Sequence, residues 1–384
     1  MSLQTNAVEV HEISVAGTVS KSKKGKGKNE ADGQAKASGT DRVLQAPQKV
    51  FRLDLPGHRT DAKCLSFSSD ATMLASVAVG SVKVWSTETR KCLRSIDDLD
   101  SMPSATASMR SGLTCMCLAW LSGDSHLAVG CKEGNLLLID LASGAIVTND
   151  ADAHEDCIWS MDLSPDGRIL VTGSADKHVK FWSLEEKTVA VSADASPAGG
   201  SDESDDEEED KEEEEEEDSG GEQGVIAAVA PPNVMQKTTQ LVHTRTLKMG
   251  DDVMSVRFTK TRSVSKLLVA VATLDFTVRV FFANSLRFFL QLYGHSLPVH
   301  CMDASDDSTL MATAGADKTL KFWGLDFGDC HRSLLAHQDA ITAVAFVPRT
   351  HYILTASKDK TIKYWDADHF EQILTLQVST ASCT

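Results

Sequence analysis

The feature that most constrains this chain is a pattern written twice at a fixed pitch between residues 294 and 366. The first copy reads Gly294-His295, Ala312-Thr313-Ala314-Gly315-Ala316-Asp317 and Leu320-Lys321-Phe322-Trp323. The second reads Ala336-His337, Thr355-Ala356-Ser357-Lys358-Asp359 and Ile362-Lys363-Tyr364-Trp365-Asp366. His to Asp is 22 residues in both copies, His to Trp is 28, and Trp to Trp is 42. A third copy, Ala153-His154 through Thr172, Asp176 and Phe181-Trp182, repeats the 22 and 28 spacings.

A period of about 40–45 residues carrying His, then Asp, then Trp-Asp is the mark of WD40 blades, each a small four-stranded sheet. The alternation between turn residues predicts strands over 341–346, 352–356, 361–365 and 372–376 in the last copy. The fold class expected is therefore all-β, a propeller of six full blades plus a half-blade, seven-bladed if completed.

Taken in order, residues 7–11 and 50–53 match the third and fourth strands of a repeat and supply the half-blade. A Lys/Gly-rich stretch holding Lys21, Lys23, Lys24, Lys26 and Lys28 separates them. With no apolar face to bury, it reads as disordered. A repeat opens at Gly57-His58 and closes at Trp85, with Val79-Gly80 where the Asp would stand. The next, degenerate, has predicted strands over 113–118, 126–129 and 136–139 and no paired His. In the fourth repeat Asp275 is present and Val280-Phe281 replaces the Trp. The resulting organisation is an edge strand (1–13), a basic insert (14–47), blades (48–184), an acidic insert (185–240), blades (241–377) and a tail (378–384). Both inserts interrupt a repeat between its third and fourth strands.

The net charge of −17 describes one segment. Residues 201–222 hold sixteen acidic residues and one lysine, which leaves −2 for the rest. Such a run is a solvated tail-like segment and says little about the folded surface. Within it, Ser204 with Glu207 three residues on is a candidate phosphorylation site. Nine cysteines occur without a CxxC pair, and Cys115-Met116-Cys117 alternates like a buried strand, so free thiols in a reducing compartment are expected. No stretch reaches the ~18 apolar residues of a membrane helix.

The repeated polar residues have a structural use. An indole N–H can donate to a Thr hydroxyl, the hydroxyl to a His, and the His to an Asp. The sets are His154/Thr172/Asp176/Trp182, His295/Thr313/Asp317/Trp323 and His337/Thr355/Asp359/Trp365. Three copies argue for buried networks that hold blades, because an enzyme needs one such site. No phosphate-binding loop, nucleotide fingerprint, HExxH or GxSxG is present, so no catalytic, cofactor or metal residue is assigned. Lys63, Trp159, Met254, His300 and Thr342 share one repeat position near the start of the first strand, and are candidates for a partner-binding rim.

The string Trp323-Gly324-Leu325-Asp326-Phe327-Gly328-Asp329-Cys330-His331, with Leu292-Tyr293-Gly294-His295-Ser296-Leu297-Pro298-Val299 before it, is more specific than the generic repeat. There the sequence resembles the family of WD repeat-containing protein 3, or U3 small nucleolar RNA-associated protein 12. The resemblance implies a nucleolar, non-catalytic scaffold of the small-subunit processome, acting in U3-dependent pre-rRNA processing and 40S ribosome biogenesis. It implies tandem propellers and a helical C-terminal domain, of which this chain carries one propeller. The implied partners are other WD-repeat processome proteins and the U3–pre-rRNA ribonucleoprotein, met indirectly or through backbone contacts. Neither a membrane nor a small-molecule substrate is expected. The rival reading is a substrate receptor for a ubiquitin ligase, which would prefer Arg after Trp365-Asp366, where Ala367 stands.

Overall fold

The chain folds into successive antiparallel sheets, and inner strands such as Leu268–Thr273 and Leu310–Gly315 are buried at every position because each sheet packs against a neighbour on both faces. The computed structural model describes residues 8–12, 48–53, 57–97, 113–190, 235–261 and 266–377. Residues 1–185 and 240–384 make one unit and 186–239 a second.

Strands β1 (Val8–Glu12) and β2 (Gln48–Leu53) pair with each other as a two-stranded sheet, Val8 opposite Leu53. Six four-stranded sheets follow, each laid down in chain order. The first holds β3 (Cys64–Phe67), β4 (Met73–Ala78), β5 (Ser81–Ser86) and β6 (Cys92–Asp97). The second holds β7 (Cys115–Trp120), β8 (His126–Cys131), β9 (Leu136–Asp140) and β10 (Ile146–Asp150). The third holds β11 (Ile158–Leu163), β12 (Ile169–Ser174), β13 (His178–Ala190) and β14 (Met235–Lys248). The fourth holds β15 (Val253–Phe258), β16 (Leu268–Thr273), β17 (Val278–Phe282) and β18 (Phe288–Leu292). The fifth holds β19 (Val299–Ala304), β20 (Leu310–Gly315), β21 (Thr319–Gly324) and β22 (Cys330–Leu335). The sixth holds β23 (Ile341–Phe346), β24 (Tyr352–Ser357), β25 (Thr361–Asp366) and β26 (Glu371–Gln377). These are the six blades of an all-β propeller. A short 3₁₀ turn, Ser122–Asp124, links β7 to β8.

First strands of successive blades lie side by side, β3 with β7, β7 with β11, and so on to β19 with β23. The core sits between the sheets. Ala312, Ala314, Leu320 and Phe322 of the fifth blade pack on Ile341, Phe346, Ile353 and Trp365 of the sixth. Phe322 is fully buried, and a side chain of that size contributes about 1.5–3 kcal/mol by leaving water.

Several boundaries differ from expectation. The first strand of the second blade begins at Cys115, and Thr114 instead forms an isolated bridge to Val79 of the first blade. The acidic insert was expected from 185, yet β13 runs to Ala190 and β14 starts at Met235. Backbone pairing between neighbouring strands needs no apolar face, so β13 and β14 extend beyond the apolar pattern of the repeat. The lysine stretch 21–28, the acidic run 201–222 and Ser204 lie outside the described residues.

Candidate functional site

Each third-strand tryptophan anchors one relay. In the third blade Trp182 Nε1 donates to Thr172 Oγ1 at 3.0 Å, Thr172 lies 2.7 Å from His154 Nε2, and His154 Nδ1 lies 2.8 Å from Asp176. The fifth blade repeats it with Trp323–Thr313 at 2.7 Å, Thr313–His295 at 2.8 Å and His295–Asp317 at 2.8 Å. The sixth gives Trp365–Thr355 at 2.9 Å, Thr355–His337 at 2.8 Å and His337–Asp359 at 3.0 Å. A carboxylate can only accept, so each Nδ1 carries the proton and each Nε2 accepts from the hydroxyl. Burial pushes the His154 and His337 imidazoles down, against the pull of Asp176 and Asp359. Burial also works to raise the three carboxylates, but hydrogen bonds and the facing imidazole outweigh it, so all three titrate below the ordinary range.

The first blade carries a relay that spacing alone missed. Trp85 Nε1 donates to Ser76 Oγ at 2.9 Å, Ser76 lies 2.7 Å from His58 Nε2, and His58 Nδ1 lies 2.7 Å from Ser81. Ser76 stands at the threonine position and Ser81 takes the bond of the missing aspartate, which hides the set from a search by spacing. In the fourth blade Asp275 turns instead to Arg279, at 2.6 Å.

The first strands of all six blades line one cavity of ≈ 820 Å³. The five rim candidates, Lys63, Trp159, Met254, His300 and Thr342, all border it. Four of them sit at one irregularity. The ladder shifts register between Ile158 and Ser160, Val253 and Ser255, Val299 and Cys301, and Ile341 and Ala343, leaving Trp159, Met254, His300 and Thr342 as the extra residues. A bulge re-aims its side chain and bends the strand, which explains why a shared position meets at the cavity. Met116 is the same residue of the second blade, between Cys115 and Cys117. It was not anticipated because that repeat lacks the His that indexes the position. Trp159 is 39% exposed, unusual for an indole in a strand. Burial first, and the charge of Lys358 second, hold the His300 imidazole below its ordinary value.

Deeper in, Arg257 Nη1 donates to the Met161 carbonyl at 3.0 Å and lies 3.8 Å from Asp162. Asp162 accepts the backbone N–H of Phe258 at 2.8 Å, and Asp303 that of Phe346 at 2.7 Å. Lys260 lies 3.4 Å from Asp303 and 3.5 Å from Asp306. These charges tie one blade to the next and leave no isolated acid–base pair. Among the described residues, no group of three or more His, Cys, Asp or Glu could hold a metal, and no helix is long and apolar enough to cross a membrane.

Six sheets of this topology, with the Trp–Thr–His–Asp relay recurring inside them, define a WD40 β-propeller. Residues 48–86 and 147–183 match the WD domain, G-beta repeat, and residues 225–384 match the WDR3 second beta-propeller domain. The chain is 42% identical over 258 residues to WD repeat-containing protein 3 of Mus musculus, covering 67% of this chain and 21% of that protein. It is 40% identical over 256 residues to the Homo sapiens protein of the same name, covering 66% and 20%. It is 37% identical over 263 residues to U3 small nucleolar RNA-associated protein 12 of Saccharomyces cerevisiae, covering 68% and 22%. The chain is thus a homologue of the WD repeat-containing protein 3 and U3 small nucleolar RNA-associated protein 12 family, and it matches about one-fifth of the length of these relatives.

Proposed function

We propose that this chain is a non-catalytic propeller scaffold in ribosome biogenesis, working in the nucleolus as part of the small-subunit processome. The observation that carries the reading is the 37–42% identity to relatives of which one is named for association with U3 small nucleolar RNA. Fold alone would not license it. A second observation is compatible: the His–Asp pairs are spent on relays inside the blades, so the surface is left to bind.

In this reading β1 and β2 are the third and fourth strands of an incomplete seventh blade. Trp159, Met254, His300, Thr342 and Lys63 form the rim that meets a protein partner. RNA of the U3–pre-rRNA particle is reached indirectly or through its backbone, and Ser204 is phosphorylated. A tagged chain recovered from cells tests the reading. U3 RNA and other WD-repeat processome proteins should co-purify, and depletion should slow pre-rRNA cleavage. Recovery of ubiquitin-ligase subunits without U3 RNA would replace it with the receptor reading.

A further inference from the structure

The turn between the third and fourth strands is built to one plan around the propeller. Its fifth residue holds a positive φ in five blades: Arg90 at 61°, Gly144 at 74°, Leu286 at 53°, Gly328 at 76° and Phe370 at 57°. The residue before it is Thr89, Ser143, Ser285 or His369 in four of them, and Phe327 in the fifth blade. In three of the polar cases the turn closes on the side chain of its own first residue. Thr89 N–H donates to Ser86, Ser143 to Asp140, and His369 to Asp366. Gly324 opens the fifth-blade turn and offers no such acceptor. Phe327 is 90% exposed. The needs of the turn, read from its siblings, explain neither residue.

Both changes make sense together as a groove. Phe327 borders a cavity of ≈ 400 Å³ whose other walls are His331, Phe370 and the edge of the sixth blade at Ala367. A side chain at position 324 would lie 2.7 Å from His331 Nε2 and 2.8 Å from Asp329 Oδ1, so glycine is what lets those groups close over the strand end. Phe370, held at its positive φ, sets its ring edge-on to Phe322 at 5.2 Å. Three carboxylates rim the space. Asp329 faces His331 at 3.1 Å and Asp368 faces His351 at 2.7 Å, while Asp326 has no partner among the described residues.

We infer that this groove between the fifth and sixth blades docks an arginine-bearing peptide segment of a partner protein. A guanidinium can lie on an aromatic face while its fork takes a carboxylate, which is what Phe327 beside Asp326 and Asp329 offers. Arginine suits such a site better than lysine, whose ammonium is compact and strongly hydrated. A purely apolar occupant would have to cover the rim carboxylates and strip their water. The inference rests on the scaffold reading and names the chemistry of one partner.

The test uses the full purified chain and fluorescein-labelled decapeptides of alternating Arg and Leu, Lys and Leu, or Glu and Leu, read by anisotropy at physiological salt. The expected order of affinity is Arg, then Lys, with the Glu peptide not bound. Phe327→Ser, which installs the residue of two sibling turns, should weaken the Arg peptide about tenfold without moving the melting temperature. Asp326→Asn should weaken it in the same direction. Equal binding by the parent and Phe327→Ser overturns the inference, because attraction to the acidic run 201–222 would survive that change. Equal binding of the Glu peptide also overturns it. So does binding seen only after the lysines of 21–28 are changed to serine, which would make this chain's own segment the occupant. The measurement needs no U3 particle, so its failure leaves the recovery of U3 RNA from cells untouched.

Discussion

His58 Nε2 lies 2.7 Å from the Ser76 hydroxyl that also receives the indole of Trp85, so the first blade runs its relay with no carboxylate. Burial, helped by the charge of Lys83, pushes the imidazole down to about 4. The sign follows from linkage. Between the unfolded value of about 6.5 and about 4 the unfolded chain binds the proton and the folded chain does not, so stability present above that window is lost as pH falls through it. Acidification from pH 7.5 to 4.5 should remove about 2 kcal/mol through this residue, with His154 and His337 acting in the same sense. Urea unfolding across that range checks it. His58→Gln should flatten the dependence while lowering stability at pH 7.5 by about 1–2 kcal/mol.

Asp317 accepts from His295 Nδ1 and from the backbone N–H groups of Ser296 and Thr319. Asp317→Ala leaves buried donors unpaired and should cost about 1–3 kcal/mol in urea unfolding. Acid should do the same to its siblings. Burial raises the Asp359 carboxyl, but bonds from Thr361, the Gln338 N–H and His337 hold it at about 2. Its contribution is present above the unfolded value of about 4 and is lost as pH falls through about 2. A second loss of stability below pH 4, reduced in Asp359→Asn, is the expected result.

These relays show how far the sequence could be read. His154, His295 and His337 were legible because three fixed spacings recur, and a recurring spacing means a recurring strand length. His58 was half legible: it stands 27 residues before Trp85, one short of the recurring spacing, and serine at 76 and 81 carries the same hydrogen bonds without the aspartate that marks the motif. Bulges were not legible, since an extra residue in a strand leaves the apolar pattern on both sides intact. Trp159 was noticed by its distance from His154, whereas Met116 was passed over because its repeat has no paired His to index the position. The reach of β13 and β14 was hidden for a related reason, because backbone pairing needs no signature in side chains.

Gly315 ends β20, where an added methyl group would lie 2.1 Å from the Pro298 carbonyl oxygen. That oxygen also accepts the Ala316 N–H at 3.0 Å, so neither backbone segment can yield without losing the bond. Gly315→Ala should destabilise the fifth blade by about 1–3 kcal/mol. Hydrogen exchange is the sharper readout. Faster exchange confined to β19 and β20 would match the geometry, whereas an unchanged melting temperature would count against so close a contact.

Trp159 separates a structural role from a binding role at the rim. Its strand neighbours Ile158 and Met161 are buried and Ser160 Oγ donates to the Val256 carbonyl, so the backbone at this point is held by others. The indole itself, pushed out at the bulge, is 39% exposed and borders the central cavity. Removing an exposed ring should change stability by no more than about 0.5 kcal/mol. Removing an aromatic that anchors a partner commonly costs about 2 kcal/mol or more of binding. Trp159→Ala should therefore melt with the parent yet recover less of the associated protein from cells. Thr342→Ala, three blades away on the same ring, offers little surface and should lose much less. A Trp159→Ala chain that melts early and binds normally would return this residue to the packing of its own strand.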